Sequence, residues 1–544
     1  MIARWPALFA LFASAAFARQ SGSPAMYVVS GTAVDSETHA ALSETEVQIA
    51  PVNQRDLIES VITGPDGRFS FNNLFAGKYV LTAARPGYLR STFQQHGRYS
   101  TGVVTGPNLQ STDLLLPLSK KSSISGIITD QDGEPVPNAR IEALRDAVVE
   151  GLRSVVPTGF GTTGADGRYR VSNLQPGSYY LAVSAQPWYA QQYMAHTARN
   201  GNANPEAPSQ FDVAYPIVYY PGATSDTSAE PIVLRHGGHA QADFTLTAGP
   251  AAHINVPRSR GANVNIRMMV PTHWGISIPV RSMFFSRQGR VFNVAPGKYQ
   301  MVAGWRDAEG RHSANKIVEI SGNATIEAAS LESPRSVAVS LTGPGGSHPS
   351  ATGLALRDLS TLRIYHPVPF GSGQMRWPAQ ELISNRYEIL WTGEDGSYID
   401  SVTGANAKVT GRIIELAPDA SAQLHVALAQ GTSSITGKVE QNGSPVAAAM
   451  VLLLPNDFGV APSSIRRDQS DSDGTFLLQD IAPGSYTLLA LPADDDLEYA
   501  NPAVMQQYLA TGKKITIAPS SRFSETIEFQ AVKQAASASS RGAP

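Results

Sequence analysis

The chain has 544 residues, Gly 47, Pro 37, only 16% charged residues and a net charge of −3. That length exceeds one hydrophobic core and calls for about three to five domains, and the turn-rich composition favours short strands over helices. With no run of one charge sign, neither a nucleic-acid footprint nor a polybasic membrane patch is present. Cysteine is absent, which excludes disulfides, thiolate metal sites and a cysteine nucleophile.

In chain order, Arg4 precedes an apolar stretch from Trp5 to Phe17, which ends in Ala16-Phe17-Ala18. This reads as a secretory signal over residues 1–18, cleaved after Ala18. At about 13 residues the apolar stretch is too short to span a bilayer. No later stretch approaches 18 apolar residues, so no transmembrane segment is expected in the mature chain.

Beyond the leader, one pattern recurs. It reads Thr63-Gly-Pro-Asp66-Gly67-Arg-Phe69-Ser-Phe71 with Gly77-Lys-Tyr79, then Thr163-Gly-Ala-Asp166-Gly167-Arg-Tyr169-Arg-Val171 with Gly177-Ser-Tyr179. A third copy reads Ser470-Asp-Ser-Asp473-Gly474-Thr-Phe476-Leu-Leu478 with Gly484-Ser-Tyr486. A fixed-spacing repeat marks a supersecondary unit. Asp-Gly reads as a hairpin turn, and the alternating side chains after it put one face of each strand in a core. Two such half-buried strands need a second sheet to cover them.

Earlier in each unit, strands begin at Gly31, Gly126 and Gly437 and a second short strand follows near Val47, Ile141 and Met450. Return strands are expected around Leu114–Leu118, Phe244–Leu246 and Ile527–Phe529. Gln94-Gln95, Gln191-Gln192 and Gln506-Gln507 fall in helical contexts, the last behind an Asn501-Pro502 cap. Two weaker copies intervene: Phe292 to Met301, which keeps Gly297-Lys-Tyr299, and Tyr387 with Arg376-Trp377 before it. Their closing strands are placed near Ile317–Ile320 and Leu424–Leu428. The expected organisation is sandwiches at 26–120, 121–248 (with an aromatic-rich insertion), 250–332, 334–430 and 432–531, and a disordered tail at 532–544.

Candidate chemistry is sparse. His236-Gly-Gly-His239 is a flexible loop with no acidic partner before Asp243. Asp130-Gln-Asp132-Gly133 and Asp471-Ser-Asp473-Gly474 open like calcium loops, but Ile141 and Ala482 stand where the twelfth-position acid belongs. Neither His-Glu-x-x-His, Gly-x-Ser-x-Gly nor a phosphate loop occurs. No catalytic residue, metal or cofactor is therefore assigned. The insertion in the second unit carries Trp188, Tyr189, Tyr193, Tyr215, Tyr219 and Tyr220 beside Asn200, Asn202, Asn204 and Gln210. Aromatic faces flanked by amides suit sugar rings, which makes these six aromatics the candidate ligand-binding set. Packing of the insertion onto its own sandwich is the preferred reading of them.

The turn and strand residues resemble the carboxypeptidase regulatory-like domain. The resemblance rests on Ser125-Gly126-Ile-Ile-Thr-Asp130, Gly133-Glu-Pro135-Val136, Thr163 to Tyr169 and Pro176-Gly177-Ser-Tyr179, repeated from Thr436-Gly437 to Gly484-Ser-Tyr486. The first unit departs from it at Thr38-His39 and at Ala76. It implies an all-β fold, a tandem array of Greek-key, transthyretin-like sandwiches, non-catalytic and extracytoplasmic (periplasmic, cell-surface or secreted). Carbohydrate binding is implied by fold analogy alone. Tyr219-Tyr220-Pro221-Gly222 and Gly396-Ser397-Tyr398-Ile399-Asp400-Ser401-Val402 resemble strings in long multi-repeat envelope proteins of soil bacteria. Binding or scaffolding at the cell envelope is the leading expectation, with a polysaccharide or an envelope protein as partner. A carbohydrate-binding module array is the alternative, and a hydrolase or peptidase accessory is the second.

Overall fold

The computed structural model describes residues 25–531, apart from 110, 191–210, 258–264, 281–282, 286–288, 308–309, 328–336, 348, 350, 371–373, 378–381, 383–385, 394–395 and 418–420. The expected leader at residues 1–18 and the expected tail at 532–544 therefore lie outside the described residues. The protein is all-β, a tandem array of Greek-key, transthyretin-like β-sandwiches.

One topology recurs. In the first sandwich Tyr27–Asp35 lies between Arg68–Leu74, antiparallel, and the return strand Leu114–Leu118, parallel. The facing sheet pairs Glu46–Pro51 with Glu59–Ile62 and Gly77–Ala84. Ser122–Asp130 and Ser433–Gln441 repeat the central position, with parallel return strands Phe244–Leu246 and Arg522–Glu528. The weaker copies follow suit: Ala252–Pro257 runs beside Gly289–Val294, and Val337–Thr342 runs between Gln374–Trp377 and Ala422–Gln430. Each pair of sheets closes over its own apolar cluster, around Leu81, Ile141, Met301, Trp377 and Leu453 respectively.

The motif residues have specific structural duties. Gly67, Gly167 and Gly474 have φ of 70°, 71° and 82°, where a side chain is strained. Their carbonyls accept the backbone N–H of Ala33, Ile128 and Val439 on the central strand at 2.8–2.9 Å. The preceding Asp66, Asp166 and Asp473 each accept the N–H two residues on at 3.1 Å. The opening hydroxyl is buried in all three copies. Thr63, Thr163 and Ser470 donate to Leu42, Val136 and Val446 carbonyls at 2.6–2.7 Å. The tyrosine closes the unit. Tyr79, Tyr179, Tyr299 and Tyr486 donate their hydroxyls to the carbonyl four residues back, at 3.0, 2.7, 2.5 and 2.7 Å. Burial pushes the Tyr299 hydroxyl up to about 12, so it stays a donor at any physiological pH. Removing one such hydroxyl, as in Tyr179→Phe, should cost about 1 kcal/mol, read as a lower thermal transition of that sandwich.

Three local expectations are corrected. The Asp-Gly turn does not join hydrogen-bonded neighbours: Glu59–Ile62 and Arg68–Leu74 lie in opposite sheets, and the turn carries the chain from one layer to the other. Ile317–Ile320 is not a closing strand. It ends the long strand Gly310–Ile320, a hairpin partner of Gly297–Asp307, and the parallel return falls to Ala324–Thr325. Gln94-Gln95 is a turn with Gln94 at φ 48°, whereas Gln506-Gln507 lies in the helix Pro502–Leu509 capped by Asn501; Gln191-Gln192 is outside the described residues.

Asp35 ends the first central strand and gathers four donors. Its carboxylate accepts the Thr38 and Glu37 N–H groups, the Tyr88 hydroxyl and the Lys120 ammonium. The Thr38 N–H leads these in holding the Asp35 carboxyl well below the usual range. A depressed folded-state value contributes stability that is complete above the ordinary 3.8 and is lost as pH falls toward the depressed value. The melting gap between wild type and Asp35→Asn should therefore be widest near neutral pH and shrink steadily below pH 4.

Candidate functional site

The insertion aromatics divide by burial. Tyr215 and Tyr219 are 8% and 2% exposed and belong to apolar cores, so neither offers a ring face to a ligand. Burial raises both hydroxyls above their ordinary value. Tyr220 is half-buried and meets the edge of Phe244 at 6.1 Å. Trp188 is 55% exposed, edge-on to Tyr189 at 5.7 Å, and Phe211 lies 6.1 Å beyond Tyr189. Among the described members of the set, Trp188 presents the most aromatic surface, with Tyr189 beside it; Phe211, which sequence reasoning did not single out, extends that surface. Tyr193, Asn200, Asn202, Asn204 and Gln210 lie outside the described residues.

The histidines and turn carboxylates serve the framework. His236 pairs with Ser119 at 3.2 Å, and His239 with Ser123. Asp130 accepts the Asp132 and Glu134 N–H groups, each at 2.9 Å. Among the described residues no three histidine, aspartate or glutamate side chains converge as a metal site would require.

The two strings outside the core repeat both lie at junctions between sandwiches. Tyr219 meets Trp274 of the third sandwich at 6.0 Å, Tyr180 meets the same ring at 4.7 Å, and Ile276 and Ile278 complete that cluster. Tyr398, Asp400 and Ser401 line a cleft of about 460 Å³ between the fourth and fifth sandwiches. Arg412 contributes from the same side, and Asp457, Ser464 and Tyr486 from the other. Burial lowers the proton affinity of Arg412 and raises the Tyr486 hydroxyl.

Further contacts tie the ends of the array together, which no sequence pattern announced. Lys78 of the first sandwich pairs with Asp471 of the fifth at 2.6 Å, and Asp471 also accepts the Gly102 N–H at 3.0 Å. Burial nevertheless raises the Asp471 carboxyl above its usual value, the ammonium pulling the other way. Gln469 donates to Gln94 and Thr101, and Arg467 stacks on Tyr99 at 4.4 Å. Arg153 of the second sandwich reaches Glu498 at 2.8 Å. Arg357 of the fourth reaches Glu150 of the second at 2.6 Å and also pairs with Glu388. The array is folded back on itself, first sandwich against fifth.

Comparison with known proteins agrees with the repeat. Residues 28–106 and 123–247 match the carboxypeptidase regulatory-like domain family. Colossin-A of Dictyostelium discoideum is 27% identical over 133 residues, a match spanning 23% of this chain and 1% of Colossin-A. Among solved structures, the Bacillus anthracis TIE protein aligns at 9% identity over 94% of this chain and 76% of its own, with a TM-score of 0.16. GBS52, the minor pilin of Streptococcus agalactiae, aligns at 11% identity over 41% of this chain and 97% of its own, with a TM-score of 0.21. Such scores are too low to carry the likeness further. Residues 28–106 and 123–247 of the chain are thus the two stretches that match the carboxypeptidase regulatory-like domain.

Proposed function

We propose that the chain is a non-catalytic, extracytoplasmic scaffold that acts by binding at the cell envelope. The observation that carries this reading is where the repeated polar groups end. The turn carboxylates, the opening hydroxyls and the tyrosine hydroxyls all bond the protein's own backbone, so the motif is spent on holding sandwiches and not on chemistry. Cross-contacts such as Lys78–Asp471 then fix several surfaces relative to one another, as a multi-sided binding platform needs. The leader read at residues 1–18 supplies the route out of the cytoplasm. Cell fractionation followed by a pull-down from the envelope fractions tests the proposal. The expected result is the chain outside the cytoplasm with a reproducible protein or polysaccharide partner; a cytoplasmic chain would end it.

A second reading, polysaccharide binding, is favoured by the exposed Trp188 with Tyr189 and Phe211. Ring stacking of this kind is lost with the ring. Trp188→Ala with Tyr189→Ala should lower retention on the bound polysaccharide at least tenfold without moving the thermal transitions. Equal retention of the double variant removes that surface from consideration.

A further inference from the structure

The cleft between the fourth and fifth sandwiches is lined by one arginine, Arg412, that neither of its two wall carboxylates, Asp400 and Asp457, pairs with directly. Arg412 is locked at its base: its N–H donates to the Val460 carbonyl at 3.0 Å, and its own carbonyl accepts the Ile389 N–H at 2.9 Å. Among the described residues its guanidinium makes two hydrogen bonds, to the Ile399 carbonyl at 3.4 Å and the Ser463 hydroxyl at 3.5 Å. Both are at the long limit for a hydrogen bond. Arg466 lies close by and bonds the carbonyls of Ser463, Ile465, Gln479 and Asp480, which are neutral acceptors. Among the described residues no carboxylate comes within 4.0 Å of either guanidinium. Burial lowers the proton affinity of both arginines, and Arg466 lowers that of Arg412 further by like charge. Glu388 and Asp457 answer Arg412 only at longer range. A desolvated cation without a close counter-ion is costly, so an anion entering the cleft gains what the protein leaves unpaid.

The walls narrow the class of anion. Asp400, Asp457 and Ser401 are exposed at the rim and Tyr398 is half-buried beside them. Two carboxylates repel a multiply charged ion such as phosphate, but they are good acceptors for hydroxyl groups. A volume of about 460 Å³ is at the small end of ligand pockets. One negative charge, several hydroxyls and a compact ring satisfy all of these demands together. We propose that this cleft binds a single carboxylated sugar residue, with Arg412 receiving the carboxylate and Asp400 and Asp457 accepting its hydroxyls. The inference rests on the binding reading above and gives it a ligand class.

Titration calorimetry on the full chain tests it, with D-galacturonate and D-glucuronate, their neutral parents D-galactose and D-glucose, inorganic phosphate, and an oligogalacturonate. A uronate should bind at least tenfold more tightly than its neutral parent, and Arg412→Gln should lose at least tenfold in that affinity. Binding of the oligomer would place the ligand in a polymer, and binding of the monomer alone would make it a free sugar; both support the proposal. No uronate heat at millimolar concentration, equal affinity for the neutral sugars, or tighter binding of phosphate overturns it. Should Arg412→Gln fail to fold, Asp400→Asn with Asp457→Asn, both at exposed positions, decides the matter, and unchanged affinity overturns the proposal. A partner captured in the envelope pull-down and kept by Arg412→Gln would leave the scaffold reading standing while this one fell.

Discussion

Replacing Arg357 with methionine should lower the first thermal transition of the protein by well over 10 °C. The Arg357 and Glu388 side chains are 5% and 0% exposed and pair with each other, and Arg357 also reaches Glu150 at 2.6 Å. The second oxygen of Glu388 accepts the Ser463 N–H at 2.7 Å, so this one cluster spans the second, fourth and fifth sandwiches. Arg357→Met leaves a fully buried carboxylate without its cation, which typically costs about 3–5 kcal/mol. For a domain near 100 residues each kcal/mol moves the midpoint by about 4–8 °C. Calorimetry is the right measurement, because a multi-sandwich chain need not melt in one step. Adding Glu388→Gln to Arg357→Met should recover much of the loss, since the orphaned charge is then gone. An unmoved transition in the single variant would show that the cluster bears no stability.

Gly126→Ala should unfold the second sandwich nearly as effectively as Gly126→Val. A Cβ at Gly126 would sit 2.0 Å from the Ala242 carbonyl oxygen, on the segment leading into the return strand. That oxygen cannot retreat, because the Tyr169 hydroxyl donates to it at 2.6 Å and the Ala242 N–H bonds Ser125 at 2.9 Å. Gly31 and Gly437 meet the Leu114 and Glu525 carbonyls at 2.1 and 2.3 Å in the same way. Since the first carbon already collides, the damage should saturate at alanine, at about 4 kcal/mol or more. Limited proteolysis with mapped cleavage sites reads it: cuts should appear between residues 122 and 247 in both variants. A protected alanine variant would mean that the return strand can move aside.

What the sequence revealed depended on whether a feature was local. The three clear sandwiches were legible because their turns need glycine at positive φ and their strands need alternation, both short-range demands. The Asp-Gly turn is legible but its role is not, since a turn between hydrogen-bonded strands and a turn between layers ask for the same residues. The third sandwich was harder because it lacks that turn, and a hairpin extension at Gly310–Ile320 takes the place expected for a return strand. Thr101 beside Ser470, or Glu150 beside Arg357, leaves no periodic trace, so the closure of the array was invisible. The insertion aromatics show the same limit. Tyr219 and Trp188 are equally aromatic in sequence, yet one is core and the other surface, because only Tyr219 lies where a neighbouring sandwich covers it.

The central claim is that repeated two-layer units are clamped into one closed body that can present several faces at once. Small-angle scattering from the full chain in solution tests this most directly. A compact body of this length should have a radius of gyration of about 24 Å. Five sandwiches strung end to end would give about 50 Å. A value near the first supports the clamped arrangement built on Lys78–Asp471 and Arg357–Glu388, and a value near the second contradicts it.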